Sequence, residues 1–515
     1  MTNRLPLDEI QFGKIDAYNE YQEYGIDLFK NSFYKYDMYK IDDFLNGSKY
    51  YICGNKGTGK TALLKYLECE LAIDPEKLII PIRFKSDLDN EEKKALHSAS
   101  ASANVIEETV EDINTYSSND NVIVWQVFLI TKIFDAMNSG EYSVFKHSRE
   151  LVVLQQLLKA IQVEKSRIVP KINKSLIKFN ASLVKGIDAE LELEIGFDKV
   201  TNKVNYYKFA KTIIRIFESL EFDYNKVFVL VDELELSVKS SKENKRDVEL
   251  VRDLIIAIEK LNGISKKKGY SICFIASIRG EVINSVLSAG YEINKAIEDF
   301  GVTINWFQKG GNYQESPLIK IIESKIIASE KLKGITNHGD IWGKYFSDTI
   351  NGIEVRKYLL SYSWYRPRDI VRMMREVQTY VGNSVIFSQE MFDKALQDYS
   401  EKSWTEFAEE LRLAYSSDDL KAIKKILTNI EVPFSFNYLS DRVKKLSEMY
   451  DFIGSFYNRH KLIDVLEKLF EWGIIGNSGQ RMVFKFMRDG DLAPTESMII
   501  HKPLRNFFAV KSHER

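Results

Sequence analysis

The sequence predicts an α/β core on a mainly parallel sheet, followed by a long helical region and a small mixed C-terminal domain. Three observations predict it. Strand-like runs at residues 49–53, 78–84, 226–231 and 270–276 alternate with amphipathic stretches of helical period, the order that builds parallel sheets. About 170 residues separate the first of these runs from the third, more than one crossover needs, so a large insertion lies within them. From residue 318 onward apolar residues recur at helical spacing until 481–487 (RMVFKFM), where alternation returns.

Composition bounds what such a chain can do. Its 515 residues suggest about three domains. With 44% hydrophobic and 28% charged residues it is neither fibrous nor largely disordered. Lys and Arg number 72 against 74 Asp and Glu, a net charge of -2, which excludes a global pull toward nucleic acid or anionic membrane and leaves only local binding. No apolar run reaches the ~18 residues of a spanning helix and the polar start lacks a signal-peptide core, so a cytoplasmic protein with no membrane partner is expected. Cys53, Cys69 and Cys273, odd in number and set in apolar stretches, are expected to be reduced, buried thiols. None of the histidines falls at ligand spacing with another or with cysteine, so zinc is not expected.

The elements follow in order. Residues 1–45 carry an aromatic-rich segment, read as helices packed on the domain that follows. The core occupies 46–310, with its insertion at about 91–223. Within the insertion 122–137 and 148–163 have helical period, whereas 189–197 (AELELEIGF) alternates and pairs naturally with 203–207 as a hairpin. The acidic stretch 87–92 and the small-residue stretch 98–103 read as an exposed loop. Residues 311–420 form a helical region. In 421–515 the order is helix, helix, hairpin, that of a winged helix, and this segment holds 16 Lys and Arg against 11 Asp and Glu, a mild basic surplus.

The sharpest signal is Gly54-Asn55-Lys56-Gly57-Thr58-Gly59-Lys60-Thr61, a full GxxxxGK[ST] phosphate-binding motif. The strand run 49–53 precedes it and the helix-forming stretch 62–71 follows it, as the motif requires. Glycines let backbone N–H groups wrap phosphates, and the helix N-terminus adds partial positive charge there. Lys60 supplies a cation to the β and γ phosphates of ATP and Thr61 a hydroxyl ligand to Mg²⁺. The second half of such a site is KVFVLVDE at 226–233. Five consecutive apolar residues fit a strand buried on both faces, and its end carries Asp232, placed to hold the Mg²⁺ shell, and Glu233, placed to polarise the attacking water. Glu235 is the lower-ranked alternative to Glu233.

Two further positions carry polar groups. The strand run 270–276 ends in Ser277, Ile278 and Arg279, where a polar residue can orient the lytic water and an arginine can meet the γ-phosphate, directly or across a subunit boundary; plain solvation of a strand end is the other reading. Trp364-Tyr365-Arg366-Pro367-Arg368-Asp369 opens a helix, where arginines oppose the helix dipole and so need a reward. A bound triphosphate is one candidate, Asp369 or another acid the other.

With these motifs in this order the chain resembles the AAA+ and STAND-like P-loop ATPases, and most nearly a bacterial family distantly similar to origin-recognition ATPases. The likeness rests on specific motifs over 16–72 and 225–374 and on pattern alone elsewhere. It implies an α/β P-loop NTPase core, a helical lid at 311–420 and a C-terminal winged helix. It gives Lys60, Thr61, Asp232 and Glu233 the Walker roles, Arg279 the strand-end role, and Arg366 or Arg368 the second-sensor role. Ile304-Asn305-Trp306 resembles that family's apolar approach to the lid. The large insertion departs from the family pattern. A setting among mobile-element and phage-defence genes is implied by the resemblance only. An ABC-type ATPase is disfavoured because no LSGGQ-like signature precedes the DE strand.

Two functions are thereby expected to compete. One is a Mg²⁺-dependent ATPase switching conformation or homo-oligomeric assembly for a complex on DNA or in defence. The other is a slowly hydrolysing nucleotide-binding scaffold that presents the insertion to an effector protein. Double-stranded DNA is a candidate partner of the C-terminal domain through Arg481, Lys485 and Arg488, with protein docking as the alternative there.

Overall fold

The computed structural model describes residues 4–84, 120–140, 142–161, 197–198, 203–204, 206–234, 241–288, 290, 293–412, 414–479, 482–487 and 490–512. The chain forms two compact units. The sheet unit comprises Asp37–Lys56 and Lys60–Ile304; the helical unit comprises Met1–Tyr36, Gly57–Gly59 and Asn305–Arg515.

The strands of the sheet unit are β1 (Tyr51–Gly54), β2 (Leu78–Arg83), the short pair β3 (Phe197–Asp198) and β4 (Lys203–Val204), β5 (Val227–Leu234), β6 (Ile272–Arg279) and β7 (Gly301–Thr303). Five of them make one sheet in the order β2-β5-β6-β1-β7, every pairing parallel. The central strands are apolar because helices cover both faces: all four β1 residues are buried, as are Val227–Val231 of β5. Helices dock through side-chain bonds to backbone as well as by packing. The Asn262 amide of helix Ser241–Lys268 brackets Phe274 of β6, accepting from its N–H and donating to its carbonyl at 2.9 Å each. Tyr51 donates to the Ile255 carbonyl (2.7 Å), and Trp125 of helix Asp120–Ser139 to that of Leu250 (3.0 Å). The three cysteines are buried and free, and burial pushes the Cys53 and Cys273 thiols up to about 12, against the lowering pull of Lys60 and Lys266.

Several expectations shift. All four strand runs form strands, but β7, only three residues long, gave no alternating signal. The insertion holds helices Asp120–Ser139, Arg149–Ile161 and Tyr206–Ser219, and β3 pairs antiparallel with β4 where a hairpin was expected. Most of the alternating run 189–197 and the stretches 87–92 and 98–103 lie outside the described residues. One helix among the described residues carries a window, Val122–Ser139, apolar enough by composition to cross a membrane, and 56% of that window is buried within the protein. The sequence run is broken by Gln126, Lys132 and Asp135, so no continuous apolar stretch announced it.

The N-terminal segment, expected as helices packed on the domain that follows, divides between the units: helix Ile41–Leu45 belongs to the sheet unit and lies against helix Lys60–Leu71, and the residues up to Tyr36 belong to the helical unit. Its helix Ala17–Ser32 lies against helix Pro317–Leu332, where the buried pair Glu20–Lys325 closes at 2.6 Å. The preceding arm is pinned as well: Leu5 N–H donates to the Tyr345 hydroxyl (3.0 Å), and the Gln378 amide to the Leu7 (2.7 Å) and Ile10 (2.8 Å) carbonyls. Leu5, Leu7, Ile10 and Phe12 are all buried, so this arm belongs to the core of the helical unit.

The last part of the chain places helices Ser417–Leu427, Phe436–Met449, Asp451–Arg459 and Leu462–Glu471 beside a small sheet. Two short strands, β8 (Thr349–Ile350) and β9 (Ile353–Glu354), precede it. β10 (Glu431–Val432) is followed by β11 (Ile475–Ser478), β12 (Met482–Val483), β13 (Met498–Ile500) and β14 (Lys511–Ser512); the sheet order β12-β11-β13 is antiparallel. The alternating run RMVFKFM is not one long strand. Met487 N–H turns back to the Phe484 carbonyl (2.9 Å), which ends β12 at Val483, and Lys485 donates to the Gly490 carbonyl (3.2 Å). Lys485 therefore does not lie on a continuous strand face; Arg481 and Arg488 lie outside the described residues.

Candidate functional site

The glycine-rich loop runs from the end of β1 into helix Lys60–Leu71. The helix starts at Lys60, two residues before the helix-forming stretch read from sequence, so its first turn opens directly on the loop. Gly57 (φ 84°) and Gly59 (φ 92°) take left-handed backbone that a side chain would strain. In the sheet unit the Lys60 ammonium is buried and donates to the carbonyls of Gly54 (2.8 Å) and Asn55 (2.9 Å), so the cation folds back along the loop. Asn55 sits against Gly280, where an added Cβ would lie 2.4 Å from its Oδ1. Of the remaining motif residues, Lys56 and Thr61 flank the loop centre, and Thr58 is buried.

The polar strand ends of this unit meet at one edge. The register puts Gly54 opposite Arg279 and Ile52 opposite Ser277 across β1 and β6. Ser277, buried, donates its hydroxyl to Asp232 Oδ1 on the neighbouring β5. The β5–β6 register shifts between Val231 and Leu234, and Glu233 takes φ 59° there. A non-glycine residue in that region stores strain, and such strain collects at sites where a side chain is re-aimed. Sequence alternation carries no signal of this bulge, because a shift in register leaves the pattern of residue types unchanged; Glu235 itself is outside the described residues. Arg279 Nη1 lies 3.4 Å from Glu281 Oε1, at the start of helix Gly280–Ser288.

Chemically, this edge offers backbone N–H groups and a helix start for phosphate, Lys60 as a cation, and Thr61 with Asp232 as oxygen ligands suited to Mg²⁺. Magnesium commonly takes one or two protein carboxylates and keeps waters and phosphate oxygens as its other ligands. Among the described residues no group of three or more His, Cys, Asp or Glu could hold a metal by itself.

The arginines of the Trp364–Asp369 stretch are held by acids of the helical unit. Arg366, the N-cap of helix Pro367–Gln378, grips Asp369 bidentately (2.7 and 2.9 Å) and lies over Trp364 and Phe407. Burial works against its charge, but Asp369 and Glu406 more than offset it and hold the guanidinium protonated. Arg368 Nη1 reaches Glu406 Oε1 at 3.1 Å, and Arg372, which sequence reading passed over, binds the other Glu406 oxygen. Burial raises the Glu406 carboxyl, yet Arg366, Arg372 and Arg368 pull it well below the carboxylate range. Of the two rewards open to these arginines, the structure supplies the acid. Glu406 lies 38 residues beyond Arg368 on helix Gln389–Leu411, and nothing in the sequence marked it.

Residues 316–408 match the family described as FunZ-associated C-terminal helical domain. The match runs from Ser316, the N-cap of helix Pro317–Leu332, into helix Gln389–Leu411, and so contains Arg366, Arg368, Arg372 and Glu406. Comparison with curated proteins gives no match. A parallel five-stranded α/β core together with a helical domain of that kind is what the chain contains.

Proposed function

We propose that the chain is a Mg²⁺-dependent ATPase of the P-loop type, using nucleotide state to switch conformation or assembly. One observation carries the reading: the GxxxxGK[ST] loop, with Lys60 folded along it, opens at the same sheet edge where β5 presents Asp232 and a strained Glu233. In this reading the loop binds the phosphates, Thr61 and Asp232 hold Mg²⁺, and Glu233 takes a proton from the attacking water. The FunZ-associated match falls inside the region read as a helical lid, and the helix order after residue 417 fits a winged helix; both support an AAA+ or STAND-like arrangement. A role in a DNA-linked or antiphage-defence complex rests on the family resemblance.

A second reading has its own observation. Arg279, Arg366 and Arg368 each face an acid of the chain itself, which suits a nucleotide-binding scaffold that hydrolyses slowly. Steady-state phosphate release with Mg²⁺, with and without duplex DNA, separates the two. Turnover near ordinary enzyme rates, roughly 1 s⁻¹ or above, supports the ATPase. Binding without turnover supports the scaffold.

A further inference from the structure

The strained centre of the glycine-rich loop has a brace. Thr58 stands between Gly57 and Gly59, both left-handed, and its carbonyl accepts a hydrogen bond from the Trp306 indole N–H at 2.9 Å, across 248 residues of sequence. Both partners are buried, Trp306 to 1% exposure and Thr58 to 6%. A buried indole N–H needs an acceptor, and this carbonyl supplies one. Tyr36 stacks on Trp306 with centroids 5.2 Å apart and planes 26° from parallel, and the Gln308 amide donates to the Tyr36 hydroxyl at 3.1 Å. One residue earlier in the loop, the Gly57 carbonyl faces the Arg368 N–H at 3.4 Å. Residues 57–59, Trp306, Tyr36 and Arg368 all belong to the helical unit.

We propose that Trp306 is a positioning residue for nucleotide binding, fixing the Thr58 peptide so that the loop is shaped for phosphate before nucleotide arrives. A peptide is rigid and planar, so holding its carbonyl on the indole side sends its N–H the opposite way. Without the bond the Thr58–Gly59 peptide can rotate, helped by the freedom of Gly59, and binding must then order it, which costs affinity. The loop centre meets the phosphate chain rather than the reacting water. The brace therefore acts on the affinity for ATP and ADP alike and leaves turnover at saturation unchanged. This inference rests on the loop being a nucleotide site.

The test is titration of the full-length chain with fluorescent analogues of ATP and ADP, alongside KM and kcat for phosphate release. Trp306→Phe keeps an aromatic ring against Tyr36 and removes the donor. It should raise Kd for both nucleotides about fivefold, the loss of one neutral hydrogen bond, and raise KM with kcat unchanged. A chain carrying benzothienylalanine at position 306, in which sulfur replaces N–H in a ring of the same shape, should reproduce the shift even if the phenylalanine variant folds poorly. Wild-type affinity in the benzothienylalanine chain overturns the brace, as does a fall in kcat without a change in KM. Lys60→Ala keeps the two ideas apart. If wild type binds nucleotide and Lys60→Ala does not, the site reading stands whichever way position 306 behaves. If wild type binds neither analogue, both ideas fall.

Discussion

His501 makes the helical unit sensitive to acid. The side chain is buried, its Nδ1 has no hydrogen-bond partner, and its ring is enclosed by Trp364 (4.8 Å, stacked), Phe484 (4.6 Å) and Phe486 (5.1 Å). Burial, and then the cations Arg505, Lys502 and Arg366, hold its pKa well below the ordinary 6.5. In the unfolded chain the imidazole titrates near ~6.5. Above that pH neither state binds the proton; as pH falls below it the unfolded state gains a proton that the folded state refuses, so stability declines until the depressed folded pKa is reached. Going from about pH 7.5 to about pH 5.5, this single group removes stability on the order of 1 kcal/mol. His501→Phe abolishes that contribution while keeping an aromatic ring between Trp364 and Phe484. Urea unfolding of wild type and variant, followed by tryptophan emission at both pH values, should give a pH dependence shallower in the variant by on the order of 1 kcal/mol. Identical pH dependence in the two chains would refute the reasoning, since other carboxylates and histidines titrate alike in both.

Other perturbations follow from the same contacts. Glu406→Gln leaves the buried Arg372 and the half-buried Arg366 and Arg368 with only the Asp369 pair to Arg366 among these residues, a loss of the order of 3 kcal/mol that calorimetry should register as a fall of roughly 10 °C in the melting of the helical unit. Gly13→Ala should destabilise more than Gly25→Ala in denaturant titrations. Both have positive φ, but a Cβ at Gly13 would fall 2.2 Å from Glu20 Oε2 and 2.6 Å from Lys325 Nζ, whereas one at Gly25 meets nothing within 4 Å. The difference should be about 2 kcal/mol, the disruption of part of a buried ion pair, on top of the backbone strain that a side chain meets at both positions.

What sequence made legible was local. The order strand, glycine loop, helix is written in consecutive residues 49–71, and five apolar residues running into Asp232 and Glu233 announced a buried strand with an acidic end. What it left hidden depends on partners far along the chain. Trp306 reaches Thr58 across 248 residues, and Leu5 reaches Tyr345 across 340. The N-terminal segment reads as helices packed on the domain that follows because sequence proximity is the only guide, whereas Leu7, Ile10 and Phe12 are buried in the helical unit and the Leu7 and Ile10 carbonyls accept from Gln378, 371 and 368 residues further on. The bulge at Glu233 changes φ without changing composition, so a pattern of period two passes over it. RMVFKFM misled for the converse reason: its alternation is real, but a turn from Met487 to Phe484 ends the strand after Val483.

If the Gly54–Thr61 loop binds ATP and Glu233 serves the chemistry, Lys60 and Glu233 must separate binding from turnover. Comparing Lys60→Ala with Glu233→Gln, by titration of a fluorescent ATP analogue and by steady-state phosphate release on the same preparations, tests it most directly. Removing the Lys60 cation should weaken binding tenfold or more, whereas Glu233→Gln, which keeps size and shape but loses the base, should bind at wild-type affinity and lose turnover by about a hundredfold or more. Equal loss of binding in both variants, or turnover in Glu233→Gln equal to wild type, would contradict it.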